Sequence, residues 1–209
     1  MIFVKVILIN GSPHEKGCTF TALNEAAQQL GKNGIETQMY WIGTDPISGC
    51  LACRACTKTG KCFINDKVNE FAGIAQNADG FIFGSPVYYA GASGQLRCFM
   101  DRLFFSASKH FHNKPAAAVV SCRRGGASTA FDNINKYFMI NNMPVVTSRY
   151  WNQVHGSTPE DVPKDEEGLQ TMRILADNMA WLLKSIDAGR NAGVTLPERE
   201  VPIRTNFIR

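Results

Sequence analysis

Apolar and polar positions follow two rhythms along this chain: short unbroken apolar runs, and apolar residues spaced three and four apart. Residues 2–10, Ile2-Phe3-Val4-Lys5-Val6-Ile7-Leu8-Ile9-Asn10, form a nearly continuous apolar, β-branched run. That pattern predicts a strand buried on both faces of a parallel sheet. Phe20, Leu23, Ala27 and Leu30 then recur at helical spacing, and Gly34 marks a stop. Residues 35–41 read as a second strand, and 42–64 as a long loop that carries cysteines. Val68, Phe71, Ile74 and Ala75 space a helix that ends near Asn77, and residues 80–84 are a short third strand. Leu96, Phe99, Met100 and Leu103 fall at i, i+3, i+4 and i+7, one apolar helix face. Residues 115–121 predict a fourth strand, followed by a helix through Ile134 and Phe138 and a fifth strand at 145–149. Leu169, Met172, Leu175, Met179, Leu182 and Ile186 mark a long final helix.

Five strands alternating with five helices predict an α/β fold, a doubly wound parallel sheet with helices on both faces, over residues 1–190. Residues 191–209 differ in character. Pro197 and Pro202 break any helix there, yet Val201, Ile203, Phe207 and Ile208 are apolar, unlike a solvated tail. We expect an extended arm that buries these anchors on its own domain or on a neighbour. In a doubly wound sheet, ligands bind beyond the carboxyl ends of the strands, near the switch point. With strand order 2-1-3-4-5, loops 10–19 and 85–93 flank that point and loop 122–126 lies beside them.

Composition narrows the chemistry. The 209 residues are 44% hydrophobic and 19% charged, with net charge +4, values of a globular protein. The longest basic cluster is Arg123-Arg124, so nucleic-acid binding has no support. The N-terminal apolar run is too short to span a bilayer and lacks a signal-peptide layout, so no membrane partner and a cytoplasmic location are expected. Seven cysteines in such a chain point to metal or redox chemistry rather than a disulfide framework.

Two stretches carry candidate chemistry. In Gly11-Ser12-Pro13-His14-Glu15-Lys16-Gly17-Cys18-Thr19 a strand, a tight loop and a helix start aim backbone N–H groups and a helix dipole at one point. This suits a phosphate, with Ser12 and Thr19 adding hydroxyls, although an ordinary strand-to-helix turn has the same outline. The loop has neither the glycine spacing of GxGxxG nor the GK[ST] of a Walker sequence. Cys50, Cys53, Cys56 and Cys62 follow C-x2-C-x2-C-x5-C, with Gly49 and Gly60 for tight turns. Thiolates at this density suit a four-iron cluster or zinc, zinc being the weaker choice because its cysteine pairs usually lie further apart. Cys18, Cys98 and Cys122 have no such grouping, and Cys98 is read as core. Tyr88 or Tyr89 can stack on a flat ring, with core packing expected of the other. Asp101 and Arg102 read as an ion pair at a helix end, and Arg123 and Arg124 either as anion contacts or as a solvated pair.

Taken together, Asn10-Gly11-Ser12-Pro13-x3-Gly17-Cys18-Thr19, Gly84-Ser85-Pro86-Val87-Tyr88-Tyr89 and Gly94-Gln95-Leu96-Arg97-Cys98-Phe99-Met100-Asp101-Arg102 resemble the flavodoxin-like NAD(P)H-dependent FMN reductases. That superfamily includes quinone reductases and the iron–sulphur flavoproteins, and the likeness runs over residues 1 to about 190. It implies FMN, with Ser12, Pro13, Cys18, Thr19 and Phe20 at the phosphate, Pro86, Val87, Tyr88 and Tyr89 at the ring, and Ser121, Arg123, Gly125 and Gly126 in a loop along the flavin. His155, after the fifth strand, is a candidate for lining the substrate pocket, with a structural role as its alternative. The cysteine spacing resembles that of the iron–sulphur flavoproteins, where a [4Fe–4S] cluster passes electrons to FMN. The resemblance also implies a homodimer or homotetramer.

Three functions are then open. The first is an enzyme in which NAD(P)H reduces FMN, which reduces a quinone, a flavin, or an azo or nitro compound. The alternative is an iron–sulphur flavoprotein carrier exchanging electrons with a partner such as ferredoxin. A non-enzymatic regulator built on the same fold is the third.

Overall fold

The computed structural model describes residues 4–205 and residue 207. Ile2 and Phe3 of the expected first strand, and Ile208 of the arm, lie outside the described residues. The elements are β1 (Lys5–Asn10), α1 (Cys18–Lys32), β2 (Glu36–Trp41), α2 (Cys56–Thr59), α3 (Lys67–Ala75), β3 (Gly80–Tyr88), β4 (Gly91–Ala92), α4 (Gly94–Ala107), β5 (Ala116–Cys122), α5 (Ala127–Ile140), β6 (Gln153–His155) and α6 (Glu166–Asn191).

Strands β2-β1-β3-β5-β6 pair in parallel in that order, so the doubly wound topology is the one expected. Successive strand side chains point to opposite faces, and the core divides accordingly. Ile7, Ile9, Phe81, Phe83, Ala118 and Val120 join Phe71, Phe99, Leu103 and Phe138 from α3, α4 and α5 in one cluster. Val6, Leu8, Ile82, Ala117 and Val119 face Leu23, Met172, Leu175 and Met179 from α1 and α6 in the other. With both faces covered, the strands have no polar side, which is why β1 and β5 read as apolar runs.

The sheet departs from expectation in two places. The third strand continues past Gly84 to Tyr88, then folds back, so that β4 pairs antiparallel with Val87 and Tyr88. The expected fifth strand at 145–149 is instead a single bridge, Ala116 to Val145, after which the chain leaves the sheet. The ladder resumes only at β6, against Val120, Ser121 and Cys122. Short polar side chains explain the detour, because they compete for backbone groups. Asn152 is buried, and its Nδ2 donates to the Ala118 carbonyl at 3.0 Å, taking the place of a ladder N–H. The Ser148 hydroxyl lies 2.7 Å from both the Tyr150 carbonyl and Asn152 Oδ1.

Helix α6 ends at Asn191, and no further helix or strand comes after it among the described residues. Val194, Leu196, Val201, Ile203 and Phe207 are all exposed in the single chain. Among the described residues, no helix is long and apolar enough to cross a membrane.

Candidate functional site

Parallel register brings the carboxyl ends of four strands to one edge. Asn10 lies beside Gly84, Pro86 beside Ser121, and Cys122 beside His155. The loop after β1 is held from within. Asn10 Oδ1 accepts from the Ser12 N–H at 3.0 Å, while its Nδ2 donates to the Glu15 carbonyl at 2.9 Å. The Ser12 hydroxyl accepts from the His14 N–H at 3.1 Å, and Trp41 Nε1 donates to the Ser12 carbonyl at 2.8 Å.

That loop delivers the start of α1 without a cap. Gly17 at the N-cap offers no side-chain acceptor, and the first turn contains no acidic residue. The N–H groups of Cys18, Thr19 and Phe20 therefore have no intrahelical acceptor and face the loop mouth. A Cβ on Gly17 would lie 3.0 Å from His14 Cβ and 3.7 Å from Ser12 Oγ, narrowing that mouth. Thr19 is pinned by a 2.8 Å hydroxyl pair with Ser121, and the Cys18 thiol donates to the Gly156 carbonyl at 3.7 Å. Burial raises the Cys18 pKa, opposed by its own backbone N–H and aided by Asp161 and Glu160. An uncapped helix start flanked by hydroxyls, with no acidic residue in its first turn, fits a phosphate.

The second loop is the hairpin at the end of β3. Tyr89 and Ala90 occupy its tip with φ of 50° and 58°, left-handed values at both central positions. That is the backbone of a type I′ turn, made here without the usual Asn-Gly. Pro86 and Val87 are half-buried, whereas Tyr88 is 48% exposed and Tyr89 fully exposed. The expectation that one tyrosine belongs to the core is corrected: the hairpin lifts both off the sheet. Gly126, with φ 89°, closes against the hairpin tip, since a Cβ there would meet Ala90 Cα at 2.8 Å. Arg123, Arg124 and Gly125 are exposed beside it, ahead of α5, whose N-cap Gly126 also lacks a side-chain cap.

His155 is the last residue of β6 rather than part of a loop. Asp165 holds it, accepting the His155 N–H at 2.7 Å and standing 3.4 Å from Nδ1. Together they line a cleft of about 320 Å³ with Tyr150, Trp151, Gln153 and Glu167.

The cysteine loop forms a second centre. Cys50, Cys53, Cys56 and Cys62 all line one small cavity of about 20 Å³, with Phe63, Arg102 and Phe105. Ala52 and Arg54, between the first cysteines, hold φ of 51° and 56°. Such left-handed backbone is uncommon for residues with a Cβ and turns the chain sharply at each. Burial raises the Cys56 thiol pKa, and the neighbouring cysteines add to this against its own backbone hydrogen bond. Among the described residues, no three His, Cys, Asp or Glu side chains are close enough together to hold a single metal ion. All four cysteines nevertheless border the same cavity. Cys98, read as core, is half-buried against the core, and Cys122 is buried within it.

Arg102 was missed as part of this centre. Its partner is not Asp101, as expected, but the half-buried Asp66, at 2.6 Å. Adjacent residues on a helix do not share a face, so Asp101 turns away and instead accepts from the Tyr137 hydroxyl.

The family model for NADPH-dependent FMN reductases matches residues 4–157. The chain belongs to that family. This FMN reductase family member is 37% identical over 191 residues to an iron–sulphur flavoprotein of Methanocaldococcus jannaschii, covering 88% of the present chain and 99% of that relative. Among solved structures, RosB with a bound riboflavin-phosphate-type intermediate matches with TM-score 0.69 at 15% identity, covering 99% and 94% of the two chains. An archaeal flavodoxin matches with TM-score 0.58 at 16% identity, covering 87% and 99%. Those structures show the flavodoxin-like fold, and the family makes the chain a flavin-dependent oxidoreductase.

Proposed function

We propose that this chain is an iron–sulphur flavoprotein, in which a [4Fe–4S] cluster on Cys50, Cys53, Cys56 and Cys62 exchanges electrons with FMN. The observation that carries this reading is the arrangement of all four cysteines around one cavity. Four cysteines spaced C-x2-C-x2-C-x5-C on one loop suit a four-iron cluster better than zinc, whose cysteine pairs usually lie further apart. The full-length likeness to an iron–sulphur flavoprotein supports the same assignment.

FMN, when bound, supplies the hydride and single-electron chemistry, and the protein's task is to hold and orient it. Ser12, Pro13, Cys18, Thr19 and Phe20 cradle its phosphate at the start of α1. Pro86, Val87, Tyr88 and Tyr89 border the ring, and Ser121, Arg123, Gly125 and Gly126 close the third side. His155, steadied by Asp165, forms part of the wall of the neighbouring cleft. Residues 46–64 carry Arg54, Lys58 and Lys61 and no carboxylate. A positive surface around the cysteines suits an acidic electron-transfer protein of the ferredoxin kind.

The exposed Arg123 and Arg124 favour a second reading, because guanidinium groups there suit the phosphates of NADPH. NADPH then reduces FMN directly, and a quinone, flavin, azo or nitro compound is the acceptor. Iron, acid-labile sulphide and flavin analysis on anaerobically prepared protein decides between the readings. Cys53→Ser should lose iron and keep FMN. Ser12→Asp should keep iron and lose FMN, since a carboxylate about 4 Å from phosphate charge costs about 4 kcal/mol at an effective dielectric near 20, roughly a thousandfold in affinity. Iron-free wild type that still consumes NADPH would move the assignment to the second reading, and failure to bind flavin at all would sink both.

A further inference from the structure

Arg102, on α4, is the bulkiest of the fully buried side chains, and none of its guanidinium reaches solvent. A buried charge needs a counter-charge and full hydrogen bonding to be tolerated. Asp66 supplies the charge, accepting Nη1 at 2.6 Å through one oxygen and Nη2 at 2.9 Å through the other. The remaining donors reach back into the cysteine loop. Nη1 donates to the Ser48 carbonyl at 3.3 Å, Nη2 to the Ile64 carbonyl at 2.9 Å, and Nε to Cys62 Sγ at 3.3 Å. Arginine has five N–H donors, and all are engaged.

A residue that merely stapled the loop would be complete with Asp66 and the two carbonyls. The fifth donor is aimed at a sulphur, and that sulphur is one of the four around the cavity. Asp66 is also placed independently of Arg102. It is the N-cap of α3 and accepts the Val68 N–H at 3.0 Å. The loop sulphur therefore feels a donor and, behind it, a fixed negative charge.

We propose that Arg102 is a positioning residue that sets the reduction potential of the centre held by the four cysteines, through its Nε–H bond to Cys62, with Asp66 offsetting part of its charge. This rests on the cluster reading above. A hydrogen bond to a ligating sulphur stabilises the more negative, reduced state and raises the potential, while the carboxylate works in the opposite direction.

Two variants separate these effects by sign. Arg102→Lys keeps the charge, but three donors on one nitrogen cannot serve Asp66, two carbonyls and Cys62 together. Its potential should fall. Asp66→Asn keeps a good N-cap for α3 and leaves the Nε–H bond in place while removing the opposing charge. Its potential should rise. Wild type and both variants would be reconstituted anaerobically with iron and sulphide, analysed for iron, and titrated redox-metrically with the cluster followed by electron paramagnetic resonance. The FMN potential, read optically in the same titration, should stay at its wild-type value. Shifts of opposite sign at comparable iron content support the proposal. Unchanged potentials, or shifts of the same sign, overturn it. Should Arg102→Lys fail to retain iron, Asp66→Asn decides alone, an upward shift supporting the proposal and an unmoved potential refuting it. An iron-free wild type removes the cluster reading and this proposal together, whereas an iron-loaded wild type with unmoved potentials removes only the proposal.

Discussion

Replacing Gly84 with alanine tests whether the start of α1 is positioned by contact with β3. Gly84 pairs with Asn10 across the sheet, and its carbonyl accepts the Gly11 N–H at 2.9 Å. A Cβ there would lie 2.7 Å from Leu23 Cδ1, 2.8 Å from Thr19 Cγ2 and 2.9 Å from Leu23 Cγ. Carbon–carbon contacts are comfortable from about 3.5 Å, so the first turns of α1 must give way by about 0.8 Å. The end of Leu23 can rotate, but Thr19 is tied to Ser121, so the displacement falls on the helix itself. Overpacking of this kind costs about 1–3 kcal/mol. For a domain of this size each kcal/mol lowers Tm by roughly 2–4 °C. Moving the helix start also degrades the N–H groups assigned to the phosphate. Loss of one hydrogen bond to a charged group, about 1.5–3 kcal/mol, would weaken FMN binding roughly 10- to 100-fold. Urea unfolding of flavin-free protein gives the first quantity, and fluorimetric FMN titration gives the second. Gly94→Ala serves as control, because a Cβ there meets nothing within 4 Å. A Gly84→Ala protein with wild-type stability and FMN affinity would refute the reasoning.

Asn152→Ala should destabilise the protein by about 1–3 kcal/mol in urea unfolding, because it strips the buried Ala118 carbonyl of its donor; an unchanged midpoint would mean another group fills the gap. Deleting residues 191–209 should shift the protein toward monomer in sedimentation and lower its flavin retention, since the exposed Val194, Leu196, Val201, Ile203 and Phe207 need a partner surface. A truncated protein that stays oligomeric would place the interface elsewhere, with α4 as the next element to test.

The fold was legible because a parallel sheet covered on both faces leaves apolar runs, and Val6 to Ile9 or Ala116 to Val120 can hardly be anything else. Periodicity failed where a side chain did the work of the backbone. Val145 and Val146 open a fifth strand that Asn152 completes, and a scan for alternation does not register a ladder whose middle is looped out. The β3 hairpin was hidden for a related reason. Its tip is Tyr89-Ala90, and neither residue is one that ordinarily signals positive φ. Cysteine spacing revealed the four thiols, but not Arg102, which lies 40 residues beyond Cys62 and declares itself only through the fold. Its pairing could have been improved from sequence, since a helix sets Asp101 and Arg102 on different faces.

Helix α4 explains how one frame carries both centres. At its start, Ser93 Oγ donates to the Gly11 carbonyl at 2.7 Å and accepts the Leu96 N–H at 3.2 Å, so the cap is locked to the loop assigned to the phosphate. Within the first turn, Gln95 donates to the Asp45 carbonyl at 2.7 Å and fixes the approach to the cysteine loop. Arg102 then holds that loop at Ser48, Cys62 and Ile64. At 1.5 Å per residue, the nine steps from Ser93 to Arg102 span about 14 Å along a single rigid element. A long loop without regular structure cannot keep such a separation constant, but a helix anchored in the core at Leu96, Phe99, Met100 and Leu103 can. The spacing between the cysteine pocket and the edge of the sheet is therefore set by α4, and the loop contributes the thiols without having to determine where they stand.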